Sequence, residues 1–139
     1  LDFISDKLNE TASFFVKQKE WRVCIQTSES KKLIKHSIQI GSKKPLNKGS
    51  SGHILSAYHD LKIEDKEKIL KQGYSMSFGE RDREIASVSV PIFRTKKQFL
   101  GSLSVTGHIS NFNKKNCLYF LNVLRSSKIR IEKKLNKIQ

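Results

Sequence analysis

The stretch IASVSVPIFRTKKQFLGSLSVTG, residues 85–107, decides how the chain folds. Side chains alternate across a β-strand with a period of two. In 85–93, Ser87 and Ser89 fall on one face, with Ala86, Val88, Val90 and Ile92 on the other. In 99–107, Ser102, Ser104 and Thr106 share a face opposite Leu103 and Val105. The segment 94–98 connects the two strands. If Arg94 pairs with Phe99, the loop is 95–98, and all five hydroxyls gather on one face with the aliphatics behind them. A slip of one residue would divide them.

Upstream, Leu1, Ile4 and Leu8 recur at helical spacing, so 1–9 reads as the end of an amphipathic helix. Residues 11–18 read as a strand. Trp21, Val23, Ile25 and Thr27 then alternate with Arg22, Cys24, Gln26 and Ser28, which predicts a second strand. Ile34, His36, Ile38 and Ile40 predict a third, and short polar turns between them suggest an antiparallel meander. The segment 41–49 is punctuated by Gly41, Pro45 and Gly49 and reads as a loop. Ser50-Ser51-Gly52 leads into a helix over 53–58, with serine as a suitable N-cap. A second helix covers 64–72 and stops at Gly73. The last helix, from about Asn116, is expected to bury Leu118, Leu121, Leu124, Ile131 and Leu135. This order predicts one α+β domain around an antiparallel sheet.

A length of 139 residues fits one compact domain over 1–139 and needs no disulfide or metal to hold a core. Apolar residues at 37% against 29% charged fit a globular chain, and no stretch is long or apolar enough to span a bilayer. The acidic, amphipathic start is unlike a signal peptide. Beginning on Leu1, already inside helical spacing, the chain reads as a fragment with something removed upstream. Cys24 and Cys117 form no CxxC and read as small buried hydrophobes, which suggests a cytoplasmic location. Half of the net charge of +14 lies in 111–139, where eight Lys and Arg face Glu132 alone. Clustered cations suit phosphate binding, but without interleaved aromatics for base stacking a solvated helix face is the favoured reading.

Catalytic signatures are lacking: there is no GxSxG, no Cys–His spacing and no pair of carboxylates in an apolar setting. His36, His53, His59 and His108 show no metal-ligand spacing, so no metal or cofactor is expected. Glu80-Arg81-Asp82-Arg83-Glu84 reads as a solvated charged loop. Two segments could hold a ligand. Gly49-Ser50-Ser51-Gly52 at a helix start brings small residues and the positive helix end to an anion, although an ordinary capped helix looks the same. The hydroxyl face could hold a carboxylate or polyol, although periodicity alone slightly favours a solvent-facing surface.

The run 73–112, GYSMSFGERDREIASVSVPIFRTKKQFLGSLSVTGHISNF, resembles the effector-binding domain of IclR-type bacterial transcriptional regulators. Glu10-Thr11 resembles the family's ET pair, and Ile40-Gly41 through Pro45-Leu46 and Ser51-Gly52 resembles its IGxxxPLxxxxxGK segment. The chain departs at Glu84, where the family has glycine, and at His53, where it has lysine. The resemblance implies a GAF-like fold, a curved antiparallel sheet of five to six strands holding an effector under central helices. It further implies effector contacts from Ile34, His36, Ser50, Ser51, Ser77, Ser87, Ser104 and Thr106. Because the hydroxyl face and helix start fall on those positions, the enclosed reading of that face becomes the preferred one. The winged helix-turn-helix that reads DNA in such regulators is expected to be missing from this chain, and members assemble as dimers or tetramers.

The expected role is therefore non-enzymatic sensing of a small polar metabolite, an organic acid above all, with DNA bound only through the missing domain and no membrane involved. The alternative is a basic nucleic-acid-binding module using 111–139. A redox enzyme working through Cys24 or Cys117 is a third reading, with nothing in the sequence to mark either thiol as activated.

Overall fold

A computed structural model describes residues 1–33, 35 and 37–137. The elements are α1 (Asp2–Leu8), β1 (Thr11–Gln18), β2 (Trp21–Ser28), β3 (Lys43–Pro45), α2 (Ser50–Tyr58), α3 (Lys66–Gln72), β4 (Ser75–Phe78), β5 (Ile85–Thr95), β6 (Gln98–His108) and α4 (Lys114–Lys137). A short 3-10 turn at Ile109–Asn111 precedes α4. Six strands form one curled antiparallel sheet in the order β3-β2-β1-β6-β5-β4. The α+β class and the curved antiparallel sheet therefore stand as expected.

The β5–β6 hairpin has the predicted register: Ser87 pairs with Thr106, Ser89 with Ser104 and Pro91 with Ser102. The connection is tighter than the expected four-residue loop. Thr95 pairs with Gln98, so Lys96 and Lys97 alone turn the chain, and irregularities around Phe93 absorb the difference. Such bulges let a short turn and a long hairpin keep compatible twists.

The sheet is covered on both faces. Ala12, Val88, Val90, Ile92, Leu103 and Val105 pack with Ile4 and Leu8 of α1 and with Cys117, Phe120, Leu121 and Leu124 of α4. The opposite face meets α2, which touches β1, β2, β4, β5 and β6. Close approach of β1 to β6 requires Gly101, where a Cβ would stand 2.3 Å from the Phe15 carbonyl oxygen. Gly73 ends α3 in the left-handed conformation, φ 78°, as its position after the helical run predicts.

Four expectations are corrected. Among the described residues 35 and 37–40 there is no strand; the third strand is Lys43–Pro45, inside the segment read as loop. It is an exposed edge strand pairing with Trp21–Val23, so it carries no apolar alternation to betray it, and an edge tolerates Pro45. Ile38 is used instead as a loop anchor, packed against Phe15, Cys24, Leu46 and Leu55, while Ile40 is exposed.

The even alternation of β2 is broken by a bulge. Phe14 pairs with Gln26 but Phe15 with Cys24, which leaves Ile25 as the extra residue. Cys24 and Arg22 thereby come onto the face that Thr27 occupies on the other side of the bulge. They are buried, while Trp21 and Ile25 stand 40% and 45% exposed.

Helix α2 begins at Ser50, not at 53. Its N-cap is Gly49 at φ 86°, with no side-chain capping bond, because both serines lie inside the first turn with their hydroxyls committed elsewhere. In α4 the buried stripe is Cys117, Phe120, Leu121 and Leu124 at i, i+3, i+4 and i+7. Leu118 lies one position off that stripe and is 51% exposed.

Candidate functional site

Strand pairing lines up two rows of hydroxyls across the face beneath α2. One runs Ser77, Ser87, Thr106, Thr11 and the other Ser75, Ser89, Ser104, Ser13, Thr27, each residue opposite the next on the neighbouring strand. Ser89 and Ser104 are 2.6 Å apart at their oxygens, and Ser13 and Thr27 are 3.0 Å apart. Helix α2 is tied into these rows by Ser50, whose Oγ lies 2.6 Å from both Ser87 Oγ and Ser89 Oγ. The Ser50 backbone N–H also donates to Ser87 Oγ at 3.4 Å. Buried hydroxyls are stable only when bonded, and here they satisfy one another.

Where the rows meet the first turn of α2 the face opens into a cavity of about 290 Å³. Its walls come from all six strands, from the start of α2, and from the loops at 37–42 and 81–82. Phe15, Ile38 and Ile85 supply an apolar side; Ser51, Ser77, Ser87 and Thr106 supply hydroxyls; Arg22, Arg81 and Lys44 supply positive charge beside Asp82. The volume is near the lower end of small-molecule sites, about 300–1,000 Å³, and suits a metabolite rather than a large cofactor.

Four of the sequence-derived candidates, Ser51, Ser77, Ser87 and Thr106, line this cavity. Ser50 and Ser104 do not; both are fully buried behind it, in the hydrogen-bonded rows. Ile34 and His36 lie outside the described residues.

The charged wall was not read from the sequence. Arg22 is 5% exposed, and its Nη1 donates to Ser51 Oγ at 2.5 Å. The guanidinium lies over the Phe15 ring, 5.3 Å from its centroid, and against Gly49, where a Cβ would come within 2.9 Å of Nη1. Burial, and then the charge of Arg81, lower its pKa to about 10, so it is still cationic at neutral pH. The run at 80–84, expected to be merely solvated, sends Arg81 and Asp82 to the cavity wall. Glu80 accepts from the Gly49 N–H at 3.3 Å and lies 2.8 Å from His53 Nε2. The His53 departure thus has a carboxylate partner. Glu84 is not among the residues of positive φ, so its backbone conformation does not call for glycine.

Both thiols are buried, and burial pushes the pKa of Cys24 and Cys117 up, the opposite of what a reactive thiolate needs. Several α4 cations are engaged within the fold. Arg125 donates to the Gln72 carbonyl and stacks on Tyr74, Lys128 pairs with Glu132 at 2.6 Å, and Arg130 stacks on Phe3. Among the described residues no group of His, Cys, Asp and Glu is placed to hold a metal ion, and no helix is long and apolar enough to cross a membrane.

The chain thus combines a curled antiparallel sheet, helices on both of its faces and a hydroxyl-lined cavity at a helix start. The family described as "Bacterial transcriptional regulator IclR C-terminal" matches residues 62–132, just over half of the chain, and the chain belongs to that family. Solved structures agree in fold. An IclR-family regulator from Rhodococcus sp. superposes with a TM-score of 0.86 at 20% identity, over 94% of this chain and 59% of that one. The Thermotoga maritima IclR gives 0.83 at 22% identity, over 96% of this chain and 64% of its own. The effector domain of an IclR regulator from Acinetobacter sp. ADP1 gives 0.81 at 16% identity, over 96% and 91%. The chain thus spans about three fifths of the two longer regulators. No curated protein matches it at a significant level.

Proposed function

We propose that residues 1–139 form one effector-sensing domain, with the cavity beneath α2 as the site for a small polar metabolite of the organic-acid class. The observation that carries this reading is the approach of Ser51, Ser77, Ser87 and Thr106 to one partly open cavity at the start of α2. Hydroxyls both donate and accept, and the positive end of α2 favours an acidic group. Phe15, Ile38 and Ile85 would cover the carbon body.

A ligand changes a conformational equilibrium only through its different affinity for the two states. Ser51 stands on α2, while Ser87 and Thr106 stand on the sheet. Bridging them would bias how α2 sits on the sheet, and through the regulator's other parts how its DNA-binding domains are held. The role is non-enzymatic, in the cytoplasm, with the regulator acting as a dimer or tetramer.

A thermal-shift screen across classes of polar metabolite tests this. Stabilisation by small carboxylates, reduced in Ser87→Ala, is the expected result. No stabilisation by any class would overturn the reading.

A further inference from the structure

A buried cation is stable when a counter-charge or a full set of acceptors surrounds it. Arg22 has neither. The Ser51 hydroxyl is the single hydrogen-bond acceptor of its side chain among the described residues, and its buried Nε has no partner. Glu10, Glu80 and Glu132 each pair with a different base, Lys32, His53 and Lys128. The neighbouring charge that shifts Arg22 is another cation, Arg81. Yet Arg22 lines the cavity and is held in a defined place, over Phe15 and against Gly49. A guanidinium that is fixed, desolvated and short of acceptors in the wall of a small cavity is a preorganised receptor for an oxyanion.

Resting on the effector-cavity reading above, we infer that Arg22 is the specificity-determining residue of the site, supplying the counter-charge for a ligand carboxylate and rejecting neutral molecules of the same shape. A carboxylate with a short carbon body fits better than bare inorganic phosphate, because Phe15, Ile38 and Ile85 would meet nothing apolar on phosphate. Asp82 on the same wall disfavours ligands of higher negative charge. Replacing this under-solvated charge by methionine removes its desolvation cost, which offsets the loss of the Ser51 hydrogen bond in the empty domain.

The test compares propionate, butyrate and succinate with propionamide, butyramide and succinamide, and with inorganic phosphate, by thermal shift in low-chloride buffer. The acids are expected to raise the melting temperature of the wild type, the amides and phosphate at least tenfold less effectively by apparent Kd. Arg22→Met is expected to lose the acid response at least tenfold while melting no lower than the wild type when empty. Should Arg22→Met not fold, Arg22→Lys keeps the charge and is expected to preserve the preference for acid over amide. Chloride is also expected to weaken the wild-type acid response. Amides that match the acids, chloride without effect, or an Arg22 variant that keeps the full acid response without the charge would overturn the assignment of Arg22 and leave the cavity reading standing. A phosphate response equal to that of the acids overturns the carboxylate assignment. A wild type indifferent to both the acid and amide series counts against the cavity reading itself, and this inference falls with it.

Discussion

Ser89 and Ser104 face each other across the β5–β6 pairing with their oxygens 2.6 Å apart, both fully buried, and Ser50 of α2 closes on Ser89 at the same distance. This contact joins the two strands of the hairpin to the helix above them. It supports the cavity from behind and does not itself line it.

Ser104→Val should therefore act on stability more than on binding. Removing one partner from a buried hydroxyl chain costs about 1–3 kcal/mol. The urea midpoint should fall accordingly, with less than a twofold change in the affinity of any carboxylate that stabilises the wild type. A large affinity loss with an unchanged midpoint would place Ser104 in the ligand's path.

The opposite balance is expected for Thr106→Val, which keeps the side-chain shape and removes a hydroxyl from the cavity wall. Its affinity loss should be about five- to tenfold, corresponding to one hydrogen bond worth about 1 kcal/mol. Titration calorimetry against the best carboxylate from the screen measures it directly.

Gly101→Ala should be among the most damaging small substitutions in the chain. The new Cβ would meet the Phe15 carbonyl oxygen at 2.3 Å, a backbone atom that cannot rotate away. Forcing β1 from β6 should cost at least about 1–3 kcal/mol, the range for overpacking a close contact. Denaturant titration reads the loss.

The buried Glu10 and the more exposed His59 give stability opposite dependences on pH. Burial raises the Glu10 carboxyl above its ordinary 4.5, against the opposing hydrogen bond and charge of Lys32 and the charge of His108. The folded chain therefore holds that proton to higher pH than the unfolded chain does. The stability it contributes is full below pH 4.5 and is lost as pH rises through the folded value. His59 behaves the other way: burial, and then Lys17, lower it below 6.5. Its contribution is present above pH 6.5 and is lost as pH falls toward the lowered value. Across urea midpoints from pH 4 to 8, Glu10→Gln should flatten the decline above 4.5, and His59→Gln the decline below 6.5.

Much of the fold was legible because the hairpin states its own register. Five hydroxyls at period two, with aliphatics between them, fix the parity of the pairing, and with the short turn they lead to Ser87–Thr106 and Ser89–Ser104. The end of α3 at Gly73 was legible for an equally local reason. The edge strand β3 was not, since Lys43, Lys44 and Pro45 bury nothing and leave no hydrophobic period. Of the site, the hydroxyl wall was visible, but its division into lining residues and supporting residues was not. Ser87 and Ser89 are equivalent in alternation and differ only in where α2 stops covering them.

What the amino-acid sequence by itself determined is the two-faced character of the central strands, because side-chain polarity and a period of two are local properties. What only the tertiary structure decided is the face of Arg22. The bulge at Ile25 changes the parity of β2 and carries that guanidinium, with Cys24, onto the hydroxyl side of the sheet beneath Ser51. A bulge depends on how β1 and β2 twist against each other under α2, so the charge that gives the cavity its chemistry was written into the pairing of strands and not into any one of them.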